Sequence, residues 1–338
     1  MATQSGIPAI GQPVLRKRES LWADAFRRLI RNRGAMFGGL IIVLLFLSYI
    51  FADVIAIKPY DVQVNVDNNN VPQWLVSVFP MTKGYARINE AYPLGADDLG
   101  RDLFSRIVYG TRVSLTVALI GPLVSLLIGV VYGSVSGFFG GRVDNLMMRF
   151  VDVMYAFPSL LLIILMMAFF RSSFAKVSEP GTLKYMLNAL DSKAGGLLFI
   201  FIGIGITAWM GMARLTRGQV LSLREKEFVE AARSIGAGNL RIMFRHILPN
   251  ILGPLIVSET LAIPGYISTE TFLSFIGLGV NPPTPSWGAM IADGARTIRT
   301  YPHQAIFPAL ALAITMFAFN FLGDGLRDAL DPRMRGTQ

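Results

Sequence analysis

Apolar stretches long enough to cross a bilayer recur along this chain, separated by shorter polar segments. A hydrocarbon core of about 30 Å needs roughly 20 residues of helix. Six stretches meet that length: Met36 to Ala56, Val113 to Gly133, Phe150 to Phe170, Gly195 to Met212, Ile251 to Phe275 and Ala305 to Gly323. Lipid offers no partner to backbone N–H and C=O groups, so each stretch must pair its own, as a helix does. The pattern therefore predicts an all-α membrane protein with six transmembrane helices. Residues 21–33, LWADAFRRLIRNR, place arginines on one side of an apolar stripe and predict an interfacial amphipathic helix. Residues 1–20 read as a disordered tail. The organisation expected is a cytoplasmic tail and interfacial helix (1–35), a first span (36–56), an extracytoplasmic segment (57–112), a core of five spans (113–323) and a cytoplasmic end (324–338).

Composition agrees. The chain has 338 residues, 53% hydrophobic and 16% charged, against about a quarter charged in soluble domains. There is no cysteine, which excludes disulfides, thiol catalysis and thiolate metal sites. The two histidines, His246 and His303, are too few for a His-rich metal site, and no metal is expected. The net charge of +9 does not point to nucleic acid, because the basic residues sit beside the apolar spans. With the N-terminus inside, the inner segments hold 19 of the 31 Lys and Arg residues. That excess puts both ends in the cytoplasm.

The longest polar run between two inner span ends is residues 213–249. Within it, Ser222 and Glu225 have capping-box spacing. A helix of about three turns is expected from there through Glu230, Ala231 and Ala232, stopped by Gly236. Ala231 and Ala232 offer a smooth surface to another protein, and Pro249 suits the first turn of the next helix. In the second span Gly121, Ser125, Gly129, Gly133 and Gly137 recur every four residues and form one small-residue stripe. Such stripes let helices approach closely in lipid; static packing and a sliding contact both fit. Pro122 can bend the same helix. The fifth span carries Glu259 and Glu270, acids that are costly in lipid and so face protein or water. They either line a polar path or bond within the bundle. Outside, Asp97 to Arg101 and Asp102 to Arg106 have the spacing of helical ion pairs.

The central run resembles the Glu-Ala-Ala loop of ABC importer permeases. Glu230, Ala231, Ala232, Gly236, Leu248 and Pro249 match that pattern, while His246 stands where the family has isoleucine. The segments PLGADDLGRDLFSRIVYGTRVSL (93–115), GGRVDNLMMRFVDVMYAFP (140–158), ARLTRGQVLSLREKEFVEAA (213–232), ETFLSFIGLG (270–279), SWGAMIADGA (286–295) and FNFLGDGLRDALDP (319–332) resemble the C-type subunit of oligopeptide and dipeptide importers. The outer insert 171–195 is longer than the family's usual one. The resemblance implies the type I importer permease fold with a cytoplasmic coupling helix, in the cell membrane among lipid. It implies a homologous second permease subunit, two cytoplasmic ATPase subunits that bind ATP and Mg, and an extracytoplasmic substrate-binding protein. Glu225, Glu227, Phe228, Glu230, Ala231, Ala232, Arg233 and Gly236 then form the ATPase-coupling surface, with Arg214, Arg217, Arg224 and Arg241 able to pair with ATPase acids. No lysine here follows a glycine, so the chain lacks the phosphate-cradling Gly-Lys step and is expected to be non-catalytic. Peptides are the expected cargo; nickel or another small substrate is the alternative within the family. A stand-alone secondary transporter needs inverted repeats, and an intramembrane enzyme needs clustered catalytic groups. Neither is visible.

Overall fold

The computed structural model describes residues 21–174 and 181–330, and the expected disordered tail lies outside them. The described chain is helical, with isolated bridge pairs in the outer loops but no strand. In order, the helices are α1 (Leu21–Arg31), α2 (Arg33–Ile50), α3 (Ala52–Ile55), α4 (Gln73–Val78), α5 (Leu103–Phe139), α6 (Gly141–Ala156), α7 (Ser159–Phe174), α8 (Leu183–Lys193), α9 (Leu197–Arg224), α10 (Glu227–Ser234), α11 (Asn239–Ile242), α12 (Leu248–Phe275), α13 (Trp287–Arg296) and α14 (His303–Leu330). Five helical stretches are long and apolar enough to span, and α6 with α7, bent by 76°, passes the same test when taken together as one bent pair.

The expected third span is therefore not continuous. It breaks at Phe157 and Pro158, and its two halves meet at 76°. Proline excludes its predecessor from the helical region, and Phe157 is extended at φ −85° and ψ 131°. The first span also divides, α2 ending at Ile50 and α3 covering Ala52–Ile55, whereas α5, α9 and α14 outrun their expected spans. α5 begins ten residues before Val113, where the Asp102 carboxylate accepts from the Ser105 N–H at 2.8 Å. It runs through Pro122 and ends at Gly140, whose φ is +63°. α9 continues to Arg224, so a third of the expected polar loop is the inner end of a 28-residue helix. α14 likewise absorbs residues 324–330.

Apolar clusters stitch the bundle at different depths. Val113, Val117, Ile163, Met167, Ile200 and Leu273 pack at one end, and Val220, Val229, Ile242, Ile247 and Ile251 at the other. The stripe on α5 is buried throughout. It lies on α9, where a Cβ on Gly129 would stand 2.6 Å from Met212 Cβ and one on Gly133 would collide with the Ala213 carbonyl. A second seam, not anticipated from the sequence, joins α2 to α14: Gly38 backs onto Ala318 and Phe321, and Gly325 onto Ala35.

The segment between α3 and α5 folds into a cap. The Asp67 carboxylate accepts from the Tyr92 hydroxyl at 2.8 Å and from Asn70 Nδ2 at 2.8 Å. Burial, reinforced by that bond, pushes the Tyr92 phenol up to about 12. Gln304, at the start of α14, donates to Asn69 Oδ1 at 2.8 Å and to the Ala96 carbonyl at 3.0 Å, pinning the cap to the bundle.

Candidate functional site

α10 is a short helix hung between two long ones. Its capping differs from the sequence expectation. Ser222 lies exposed in the last turn of α9, and α10 starts at Glu227 after an extended Lys226 that donates no side-chain cap. The helix has eight residues, about two turns rather than three. Continuation of α9 wins because Val220 is fully buried in the inner cluster and Leu223 packs against it; packing overrides a local cap signal.

The stop at Gly236 is as expected. Its φ is +82°, its N–H donates to the Arg233 carbonyl at 2.9 Å, and the Ala237 N–H donates to the Ala232 carbonyl at 3.0 Å. Those two bonds make a Schellman ending. A Cβ on Gly236 would meet nothing within 4 Å, so the position demands a backbone conformation, not space.

α10 divides into an anchored face and an open face. Val229 and Ala232 are buried against Phe138, Ile242 and Ile247. Burying Val229 is worth about 1.5–3 kcal/mol. Ala232 thus serves this chain's own core, and only Ala231 remains on the surface. Glu225, Glu227, Phe228, Glu230, Arg233 and Gly236 are exposed, and so is Ile235 at 86%. Leu240 and Phe244, after α10, are exposed too and line an apolar groove with Val130, Val131 and Phe139 of α5.

The arginines divide too. Arg217 forks onto Asp144 with two contacts of 2.5 Å, and the Ser136 hydroxyl donates to the same carboxylate. One acid thereby ties α5, α6 and α9 through bidentate geometry. Arg224 donates to the Gly137 and Phe138 carbonyls at 3.3 and 3.2 Å, closing the open end of α5. Arg214 pairs with Asp152 at 2.5 Å and stacks over Tyr155. Arg233 and Arg241 are exposed and make no ion pair among the described residues.

The stripe and the acids of the fifth span meet. The Ser125 hydroxyl lies 2.6 Å from Glu259 Oε1, and the Tyr266 hydroxyl donates to Oε2 at 3.0 Å. The Tyr266 ring rests on Gly121, where a Cβ would stand 2.9 Å from it. Glu259 is 5% exposed. Glu270 is fully buried and takes a 2.7 Å bond from Ser274. Beyond Tyr266 opens a cavity of about 560 Å³ between α7, α9 and α12, at the break of the third span. Tyr155, Phe157, Ser159, Thr207, Tyr266 and Thr269 are among its walls. Neither glutamate lines it. Sequence reading marked Glu259 but not Tyr266; an aromatic seven residues along an apolar helix carries no signal of its own.

The outer charged group is a turn, not a helix. Arg101 bonds Asp97 at 2.6 Å, and Asp97 also accepts from the Leu99 and Arg101 N–H groups. Asp102 caps α5 and does not pair with Arg106, which turns to Asp97 at 3.5 Å. Burial pushes the Asp102 carboxyl up, opposed by the Ser105 bonds.

Comparison with known proteins gives the chain's family. Residues 129–336 match the family described as binding-protein-dependent transport system inner membrane component. Residues 20–72 match the N-terminal transmembrane domain of oligopeptide transport permease C. The oligopeptide transport system permease protein OppC of Bacillus subtilis is 41% identical over 96% of this chain and 93% of its own length. The dipeptide permease protein DppC of the same organism is 39% identical, covering 94% of this chain and 88% of its own. The glutathione transport system permease protein GsiD of Pectobacterium atrosepticum is 37% identical, covering 96% and 95%. Among solved structures, an inward-facing MetNI methionine ABC transporter superposes with a TM-score of 0.50, 16% identity, 67% of this chain and 96% of its own. That likeness speaks for the fold alone.

Proposed function

Because this chain belongs to the inner membrane component family of binding-protein-dependent transport systems, we propose that it is the C-type permease subunit of an ATP-driven importer whose cargo is di- or oligopeptides. It is a multi-pass membrane protein with the type I importer permease fold. The single observation that carries the mechanism is the two-sided α10. One face is locked into the bundle through Val229 and Ala232, and the other presents Phe228, Glu230, Ala231 and Ile235 to solvent. A helix that only filled a loop has no use for Phe228 and Ile235 in the open beside buried anchors; exposed apolar side chains in such a place suit a docking partner.

In this reading two ATPase subunits grip the open face of α10, a homologous second permease completes the pathway, and an extracytoplasmic binding protein delivers cargo. Both ends of the chain are cytoplasmic. Nucleotide-driven closure displaces α10. The displacement passes to α9 through the two-residue hinge Glu225–Lys226, and to α5 and α6 through Arg224 and the Asp144–Arg217 fork. This chain supplies shape and leverage, and its neighbours supply the chemistry. Peptides are preferred as cargo because the oligopeptide, dipeptide and glutathione permeases resembling this chain are each named for a peptide or a peptide-like molecule.

The test is reconstitution. The chain, co-purified with its ATPase, permease and binding-protein neighbours, is placed in liposomes and offered trialanine. Uptake that requires ATP and the binding protein is the expected result. Uptake that persists without nucleotide, or purification that never yields an ATPase, overturns the assignment.

A further inference from the structure

The cavity at the break of the third span has a wall whose shape is built from three distant parts of the chain. α12 supplies Ala262 to Thr269 and α9 supplies Ile204 to Met210. Each contribution is about two turns, so the groove runs roughly 10 Å along the bundle. A volume of about 560 Å³ falls within the size of small-ligand sites. None of its lining residues is Asp, Glu, Lys or Arg, while Tyr155, Ser159, Thr207, Tyr266 and Thr269 bring hydroxyls. The Phe157–Pro158 break also brings non-helical backbone to the groove. Thr207, Thr269 and Tyr266 already donate to Gly203, Gly265 and Glu259, which leaves their oxygens to accept; hydroxyl oxygens and non-helical backbone at membrane depth are tolerated against protein, water or a polar ligand, not against acyl chains. The chemistry fits a short run of peptide with uncharged side chains.

Tyr266 is fixed from both ends. Gly121 lies under its ring, and Glu259 holds its hydroxyl at 3.0 Å, itself held by Ser125 at 2.6 Å. The ring cannot swing aside without breaking that chain of bonds. Ser125 and Glu259 are 134 residues apart in sequence, and the contact they make has no part in lining the groove. Its structural effect is to set where the Tyr266 ring stands.

We propose that Tyr266 is the specificity-determining residue of this groove, limiting the side-chain bulk of the peptide that passes, and that Glu259 and Ser125 are positioning residues acting through it. The assignment rests on the transport reading above. It goes further by giving the acid of the fifth span a role that never touches cargo.

Proteoliposomes holding the whole importer are compared for uptake of trialanine and triphenylalanine. Tyr266→Ala is expected to raise the ratio of triphenylalanine to trialanine uptake roughly tenfold. Glu259→Ala moves the ratio the same way by releasing the ring, whereas Glu259→Gln, which keeps a partner for the phenol, stays close to the parent. Thr269→Cys supplies a second measurement that leaves Tyr266 intact. It creates the only thiol in a chain without cysteine. It is expected to react with an impermeant methanethiosulfonate during turnover, and more slowly when trialanine is present. An unchanged ratio in Tyr266→Ala overturns the assignment while leaving transport standing. A thiol at 269 that stays unreactive in every nucleotide state also overturns it, because the groove is then filled by the second permease or by lipid. A parent complex that takes up neither peptide overturns the transport reading and this assignment with it.

Discussion

Gly236 concentrates the coupling argument into one residue. Its left-handed backbone costs an L-residue with a side chain roughly 1–2 kcal/mol, and the surrounding space is empty. Gly236→Val is therefore expected to change the exit of α10 while leaving the bundle folded. Peptide taken up per ATP hydrolysed should fall several-fold in that variant, and Gly236→Asn, a residue that tolerates the conformation, should retain most of it. Equal stoichiometry in both variants contradicts the role. A different outcome is expected at Gly133, which backs onto the Ala213 carbonyl and Thr216. Gly133→Val forces α5 off α9 and should destabilise the purified complex by about 1–3 kcal/mol, read as a lower thermal midpoint in detergent. At this scale the sequence was legible wherever one residue's own backbone decides. Gly236 could be read because glycine at a helix end has a local cause, and the stripe because its period is local. Tyr266 could not, since its importance comes from Gly121 and Glu259, which only the folded bundle brings to it.

At the scale of elements, extra helix was the commonest departure. α9 swallowed the residues expected to open the coupling helix because the buried inner face of its last turns outweighed the Ser222 signal. The third span broke because Pro158 sits where the apolar run continues, so a window of hydropathy sees one crossing where dihedral angles make two pieces. α6 is the more polar half, and Asp144 fastens it. Asp144→Asn removes the charge that Arg217 grips with both nitrogens. Arg217 keeps 35% of its side chain exposed, so water replaces part of the fork and the cost is about 1 kcal/mol. Amide hydrogen exchange over residues 141–156 should accelerate accordingly while α7 stays protected. Arg217→Lys, which keeps charge but loses the fork, should give a smaller change; exchange in α6 identical to the parent in both variants removes the fork from the mechanism.

For the whole molecule, apolar run length was enough to find the candidate crossings, because that property answers to the membrane and not to any partner inside the protein. The cap over α14 was hidden, since residues 57–102 fold through Asp67, Gln304 and Tyr92, contacts with no repeating period. Orientation is open to direct measurement. With no native thiol in the chain, Ser222→Cys and Tyr85→Cys each report one side. Impermeant maleimide applied to intact cells should label position 85 and spare 222, and inverted vesicles should reverse the pattern. The opposite result places α10 outside and ends the coupling scheme.

α9 runs unbroken from Leu197 to Arg224, a rod of about 42 Å. One tip abuts the Asn281 loop through Gly196, and the other leads by two residues into α10. A rod seated at both ends transmits in both directions. If nucleotide at the inner tip alters how cargo is received at the outer one, thermodynamic reciprocity requires that cargo alter nucleotide affinity by the same factor. The delivery of a peptide is then also a message to the engine, carried along a single helix.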